Sequence, residues 1–166
     1  MKNYFMVIPN SIAVNQILSE IEQINEETLE YGLKLSEQDV KAIVETRNQS
    51  LSSTGRVEFG GGIITKVIST FCDSPYILQS NYVEIINELI ENFYYFKNET
   101  LEEISDDELI EFMKEYFDNK CQGDLDLLRY RYLDKVAHNV KYGVKDYLNV
   151  DDYMDGDGDE EVEEEW

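Results

Sequence analysis

Apolar residues recur every three or four positions through most of this chain, and short polar or glycine-containing breaks separate the repeats. This spacing places apolar side chains on one face of an α-helix and polar ones on the other. One repeat consists of Tyr82, Ile85, Ile86, Leu89, Ile90, Phe93 and Phe96. The pattern predicts an all-α fold, with about six amphipathic helices in one bundle-like domain.

Capping residues and glycines define where these helices begin and end. The pairs Ser36 with Asp39 and Ser105 with Glu108 have the spacing of capping boxes. Glycine, which readily adopts the left-handed conformation that ends a helix, follows several of the repeats. The first helix is expected to bury Leu29 near its end. The predicted helices span residues 11–31, 37–53, 62–72, 80–97, 106–120 and 124–142.

Two stretches of the chain lie outside these helices. Residues 4–8 form a short apolar run that ends at Pro9. They are expected to be extended and could pair with residues 56–59 in a minor two-stranded element. Residues 151–166 contain ten acidic residues and no basic one, which predicts a disordered acidic tail. The sequence therefore predicts a helical domain over residues 1–150 and a tail after it.

The net charge is −22, and the tail accounts for ten of these negative charges, which leaves −12 on the other residues. An acidic body repels nucleic acid and anionic membrane surfaces, so neither is expected as a direct partner. No stretch approaches the roughly 20 apolar residues of a membrane-spanning helix. Cys72 and Cys121 are far apart and predict reduced thiols in the cytoplasm, without a disulfide framework.

The most unusual local chemistry surrounds three consecutive glycines that precede the third helix. The amides of a helix N-terminus behind glycines can hold an anion, but the nucleotide-binding spacings are absent and a plain turn is favoured. Arg47, Arg56, Glu58, Gly61 and Cys72 are the candidate ligand contacts around this turn. A buried pair of Arg47 with Glu58 is the favoured alternative to a ligand site. Cys72 is expected to be a buried thiol.

Two further groups of side chains are candidate partner contacts. Tyr94 and Tyr95 lie in a Phe-Tyr-Tyr-Phe turn, for which burial is favoured over a contact surface. Arg129 and Arg131 begin a run of five bases interleaved with tyrosines, which is a weak nucleic-acid signal. The acidic tail is a nearer partner for this run, in the same molecule or a neighbouring subunit. The single histidine, His138, is expected to face solvent.

Four stretches of the chain are distinctive: Gly-Arg-Val-Glu-Phe-Gly-Gly-Gly-Ile, Phe-Cys-Asp-Ser-Pro-Tyr-Ile, Phe-Tyr-Tyr-Phe-Lys-Asn-Glu-Thr and Ser-Asp-Asp-Glu-Leu-Ile. In these stretches the chain resembles an uncharacterised family of small proteins from Gram-positive bacteria, known as a domain of unknown function. The resemblance covers roughly residues 31–128. It implies no activity and no functional residues.

No catalytic, cofactor or metal motif stands out, and the tail does not fit the register of a calcium-binding loop. The first functional hypothesis is a non-catalytic cytoplasmic protein-interaction module with a protein partner, and a homodimer is left open. The second is a nucleic-acid mimic that inhibits a DNA- or RNA-binding protein. The third is an enzyme or ligand-binding protein with its site at the glycine turn.

Overall fold

The computed structural model describes residues 10–58 and 60–150, and within these ranges every regular element is a helix. The predicted all-α class is confirmed. Residues 56–58 form no strand in the described part of the chain. The expected N-terminal arm, its pairing through Phe59, and the acidic tail lie outside the described residues.

The bounds of the helices agree with the predicted ranges to within three residues. At two helix ends, the predicted α-helical residues form short 3-10 turns. The α-helices are α1 (Asn10–Thr28), α2 (Glu37–Thr54), α3 (Gly62–Phe71), α4 (Tyr82–Glu99), α5 (Asp106–Asn119), α6 (Leu125–Leu127) and α7 (Asp134–Lys141). α1 ends in a 3-10 turn, Leu29–Tyr31, and another 3-10 turn, Gln79–Asn81, precedes α4. A π segment, Leu128–Leu133, joins α6 to α7.

The chain divides into two compact units, the first ending at Tyr95 and the second beginning at Phe96. The division falls within α4, so it does not coincide with a loop. The expectation of one domain over residues 1–150 stays a prediction.

The first unit is built on three mutually packed helices, with α1 against α2 and α3, and α2 against α3. Buried Thr28 donates from Oγ1 to the carbonyl of Leu33 at 2.8 Å, which fixes the turn after α1. Leu29 is 55% exposed, contrary to its predicted inward position. The chain tightens into the 3-10 turn at this residue, and the change in residues per turn rotates Leu29 away from the apolar stripe.

In the second unit, α5 packs against the π segment through aromatic contacts. The rings of Phe112 and Tyr116 stack with centroids 4.2 Å apart, and Tyr116 meets Tyr132 at 4.9 Å. Lys97 is buried, and its Nζ donates to the carbonyl of Ile104 at 2.6 Å. These contacts fasten the start of the unit to the turn before α5, and the π segment to α5.

The π segment is the main local departure from the predicted helices. The sequence predicts one uninterrupted α-helix over residues 124–142, but six of these residues are π-helical. Leu128, Tyr132 and Leu133 are the buried residues of the segment. Leu128 and Tyr132 are four residues apart, a spacing that fits the buried face of either helix type, so apolar periodicity did not distinguish the two.

Candidate functional site

A buried ion-pair cluster lies between α2 and the loop before α3. Arg47 Nη1 is 3.6 Å from Glu58 Oε1, and the two side chains are 5% and 8% exposed. Arg56 Nε donates to Glu58 Oε2 at 3.0 Å. The predicted internal pairing of Arg47 with Glu58 is confirmed, and Arg56 joins it. Two guanidinium groups therefore compensate the charge of one buried carboxylate.

The same guanidinium groups hold the glycine loop and the aromatic turn of α4. Arg47 Nη1 donates to the carbonyl of Gly60 at 2.6 Å. The guanidinium carbon of Arg56 lies 5.8 Å from the ring centroids of both Phe93 and Tyr94, within the range of cation–π attraction. The two arginines thus connect the glycine loop and the aromatic turn of α4 to the ion-pair cluster.

The N-terminus of α3 receives carboxylates of the protein itself. The amide of Gly61 donates to Glu20 Oε1 at 2.9 Å, and the amide of Ile63 donates to Glu58 Oε1 at 3.5 Å. Negative charge is favourable at this end of the helix dipole. An external anion would have to displace these carboxylates, so the geometry favours the plain-turn interpretation over a phosphate cradle.

Two of the glycines are needed because these carboxylates come so close. A Cβ at Gly61 would collide with Glu20 Oε1 and with the methyl group of Thr65. Gly62 has φ +46°, and a Cβ there would lie 2.7 Å from Glu58 Oε1. The glycine triplet therefore serves the close approach of the chain's own side chains.

Tyr94 and Tyr95 have opposite environments. Tyr94 is buried, and its hydroxyl faces Glu58 without reaching good hydrogen-bond geometry. Burial raises its pKa, as does the adjacent Glu58 carboxylate, while Arg47 and Arg56 oppose the shift. Tyr95 is exposed, so the prediction of burial for this turn is wrong at this position.

Cys72 does not join the arginine–glutamate cluster. It follows the last residue of α3, whereas the cluster surrounds the first turn. Ten helical residues separate the two ends by about 15 Å. Cys72 is only half-buried, and its Sγ donates to the carbonyl of Ser69 at 3.5 Å. The predicted grouping with Arg47, Arg56 and Glu58 is therefore wrong for this residue, and so is its full burial.

An open depression of about 770 Å³ lies in the second unit, against α6, the π segment and α7. Its lining consists of Asp124, Asp126, Leu127, Tyr130, Arg131, Asp134, Lys135 and His138. π-helical turns often occur at functional sites, since they change the direction of side chains along a helix. Arg131 lines this depression. Arg129 instead lies 5.9 Å from the ring centroid of Phe96 and 5.3 Å from that of Tyr130.

Acidic and basic side chains both line the depression. Burial raises the pKa of Asp134, Glu99 adds to the shift, and Arg129 opposes it. His138 is exposed, as predicted, and its ring centroid is 4.6 Å from that of Tyr142. The depression thus combines three carboxylates with basic and aromatic side chains.

A search of protein families finds a match over residues 20–146 to the family of unknown function DUF6323. The chain belongs to this family. The match extends the resemblance expected from the motifs at both ends and includes the arginine–glutamate cluster and the depression. No curated protein and no solved structure matches the chain.

Sequence reasoning missed several residues of this DUF6323 chain that prove central to these two sites. Glu20 contacts the glycine turn from α1, 41 residues away in sequence, and no local signal marks it. The sequence contains a weak signal for the depression, because many of its lining residues are four positions apart and so share one face of a helix. These residues form two rows, Tyr130, Asp134 and His138 beside Leu127, Arg131 and Lys135.

Within residues 10–58 and 60–150 of this DUF6323 member, no three histidine, cysteine or acidic side chains are grouped to hold a metal ion. None of the helices in that part combines the length and apolar character needed to cross a bilayer.

Proposed function

We propose that the protein is a non-catalytic, cytoplasmic protein-interaction module. Its partner binds the exposed surface around the depression, which we call the π face and define as Tyr130, Arg131, Lys135, His138 and Tyr142.

Exposed aromatic side chains beside basic groups carry this proposal. Tyr130 and Tyr142 are 64% and 69% exposed, so two large aromatic rings face solvent. Tyrosine and arginine are enriched where proteins bind one another, because they offer apolar area together with directed hydrogen bonds. The adjoining depression provides a concave surface into which a partner side chain can insert.

The arginine–glutamate cluster supports a scaffold role better than a catalytic one. Arg47 is directed to Gly60 and Glu58, and the Gly61 amide is directed to Glu20. A substrate at this turn would have to displace contacts that hold the loop together. The assignment to the cytoplasm is supported by Cys72 and Cys121, which are thiols and not a disulfide in the described residues.

Affinity capture with matched variants tests this proposal. The double variant Tyr130→Ser/Tyr142→Ser removes both exposed rings of the π face. The control, Tyr31→Ser/Tyr95→Ser, removes two rings of the first unit that are 48% and 44% exposed. We expect the partner recovered by wild type to remain with the control and to fall at least about tenfold, or about 1.4 kcal/mol, with the π-face variant.

Equal recovery by both double variants would contradict the position of the surface. Recovery of no specific protein by wild type would contradict the interaction function itself.

A further inference from the structure

We propose that the acidic segment of residues 151–166 binds the exposed basic side chains at the end of α7 and in the turn after it, next to the π face, in its own molecule. Since the partner of the proposed function uses the adjoining π face, this segment acts as an internal competitor. The competition rests on the proposed function, whereas the intramolecular contact does not.

The described chain folds back on α7 just before the acidic segment begins. After α7 the chain turns back, and the amide of Val144 donates to the carbonyl of Asn139 at 2.9 Å. Asn139 Nδ2 donates to the carbonyl of Tyr147 at 3.2 Å. Val150, the last described residue, is fully buried. The acidic segment therefore follows directly after a turn that is hydrogen-bonded to α7 and after a buried residue.

The segment is long enough to follow the whole face. Sixteen extended residues span up to about 50 Å. The helical stretch from Leu125 to Lys141 contains 17 residues and is about 25 Å long. A short connection also gives a high effective concentration, on the order of millimolar, which favours the molecule's own segment over that of a second copy.

Charge complementarity selects this surface. The segment carries ten acidic residues and no base, while the rest of the chain is also acidic. Arg131, His138, Lys141 and Lys145 are exposed along the π face and the turn after it. Lys145 and Lys141 are the basic residues nearest in sequence to the start of the segment. The three aspartates of the depression repel the segment, so the contact centres on Lys141 and Lys145, which lie outside the lining of the depression.

The single tryptophan is the last residue of the segment and provides an intrinsic probe. We would measure fluorescence anisotropy and acrylamide quenching of Trp166 in the full-length protein. At about 0.1 M salt, where the Debye length is about 10 Å, Trp166 should be protected and its anisotropy raised. At about 1 M salt, where that length is about 3 Å, the protection should be lost.

Two charge-matched variants locate the contact. Lys141→Glu/Lys145→Glu should lose the protection at low salt. Lys34→Glu/Lys41→Glu makes the same change in net charge at exposed positions of the first unit. This control variant should retain the protection of Trp166 at low salt. Adding Arg131→Glu to the first variant extends the test to the depression.

Three outcomes would overturn the inference. The first is quenching of wild-type Trp166 that is equal at both salt concentrations. The second is equal loss of protection in the two charge variants. The third is protection that appears only with dimerisation in sedimentation, because the segment would then bind a second copy.

The optical measurement uses no partner, so its failure is distinguishable from failure of the proposed function. If Trp166 is unprotected but the tyrosine variant still loses its partner, only the intramolecular contact is wrong. If both hold, replacing Glu163, Glu164 and Glu165 by glutamine should raise partner recovery. Unchanged recovery would refute the competition.

Discussion

Arg47 illustrates how a charged side chain is accommodated in this helical core. Its guanidinium group is buried but contacts the carbonyl of Gly60 and the carboxylate of Glu58. Burying a charge is costly unless it is paired and hydrogen-bonded. The arginine therefore contributes through the connections that it makes between α2 and the glycine loop.

Arg47→Met should lower the free energy of unfolding by about 3–5 kcal/mol, because it leaves Glu58 buried with one cation fewer. Urea denaturation followed by circular dichroism measures this change. The exposed control Arg131→Met should stay within about 0.5 kcal/mol of wild type. A loss below about 1 kcal/mol for Arg47→Met would show that the pair contributes little.

Gly61→Ala should destabilise the protein by about 1–3 kcal/mol through steric conflict. The backbone at Gly61 is in the right-handed helical region, so alanine is disfavoured only because its Cβ collides with Glu20 and Thr65. The loss should shrink in a Glu20→Ala background, and a double-mutant cycle measures this coupling. An equal loss in both backgrounds would mean that Glu20 is not the obstacle.

The two cysteines should differ in reactivity. Cys121 is buried, and burial, together with Asp124, raises its pKa to about 12, whereas Cys72 is half-buried. At pH 8, alkylation of the folded protein should modify Cys72 and spare Cys121, because the thiolate is the reactive form. Mass spectrometry of wild type and Cys72→Ser tests this, and rapid labelling in the variant would contradict it.

At the scale of the element, capping residues explain why several helix starts were predictable. The hydroxyl groups of Ser36 and Ser105 accept from the backbone amides of Asp39 and Glu108, and both capping boxes are complete. These bonds satisfy amides that have no partner inside the helix. They involve residues only three apart, so they can be predicted from local sequence.

Ser105→Ala should lower stability by about 1 kcal/mol, because the Glu108 amide loses its acceptor, and Ser105→Gly should cost only a few tenths. Ser52→Ala, an exposed position in the last turn of α2, provides the control. Chemical denaturation would rank the three variants. A loss for Ser52→Ala as large as that for Ser105→Ala would rule out capping as the cause.

At the scale of the whole molecule, buried groups that stay protonated make the fold sensitive to alkali. Burial is the main cause that raises the pKa of Tyr82 from 10.0 and of Cys121 from 9.0, each to about 12, and the pKa of Tyr94 is raised in the same direction. The unfolded chain releases these protons at their usual pKa values. The stabilisation is therefore complete below about pH 9 and is lost as pH rises from 9 to 12.

The free energy of unfolding should accordingly fall as pH rises from about 9 to 12. Urea titrations at several pH values measure the slope. Cys121→Ala should reduce the slope, most clearly near pH 9–10 where the unfolded thiol ionises. Stability that does not change over this range would show that these groups ionise equally in the folded and unfolded states.

The sequence alone determined the helical class and the positions of the main helices, and it favoured an internal contact for Arg47 with Glu58 as the candidate partner. Apolar periodicity, capping boxes and helix-ending glycines act over a few residues, so they are visible in the chain as written. The arginine was predictable because it lies one turn beyond Ile43 and Val44 on their buried face.

Only the tertiary structure revealed Glu20 at the glycine turn, the exposure of Tyr95 and the π segment with its depression. The contact of Glu20 joins residues distant in sequence, and the exposure of a side chain depends on what packs against its helix. The π segment keeps an apolar spacing that an α-helix also satisfies. A local apolar pattern contains little information about contacts between distant residues or about what packs against each helix, so these features were not predicted.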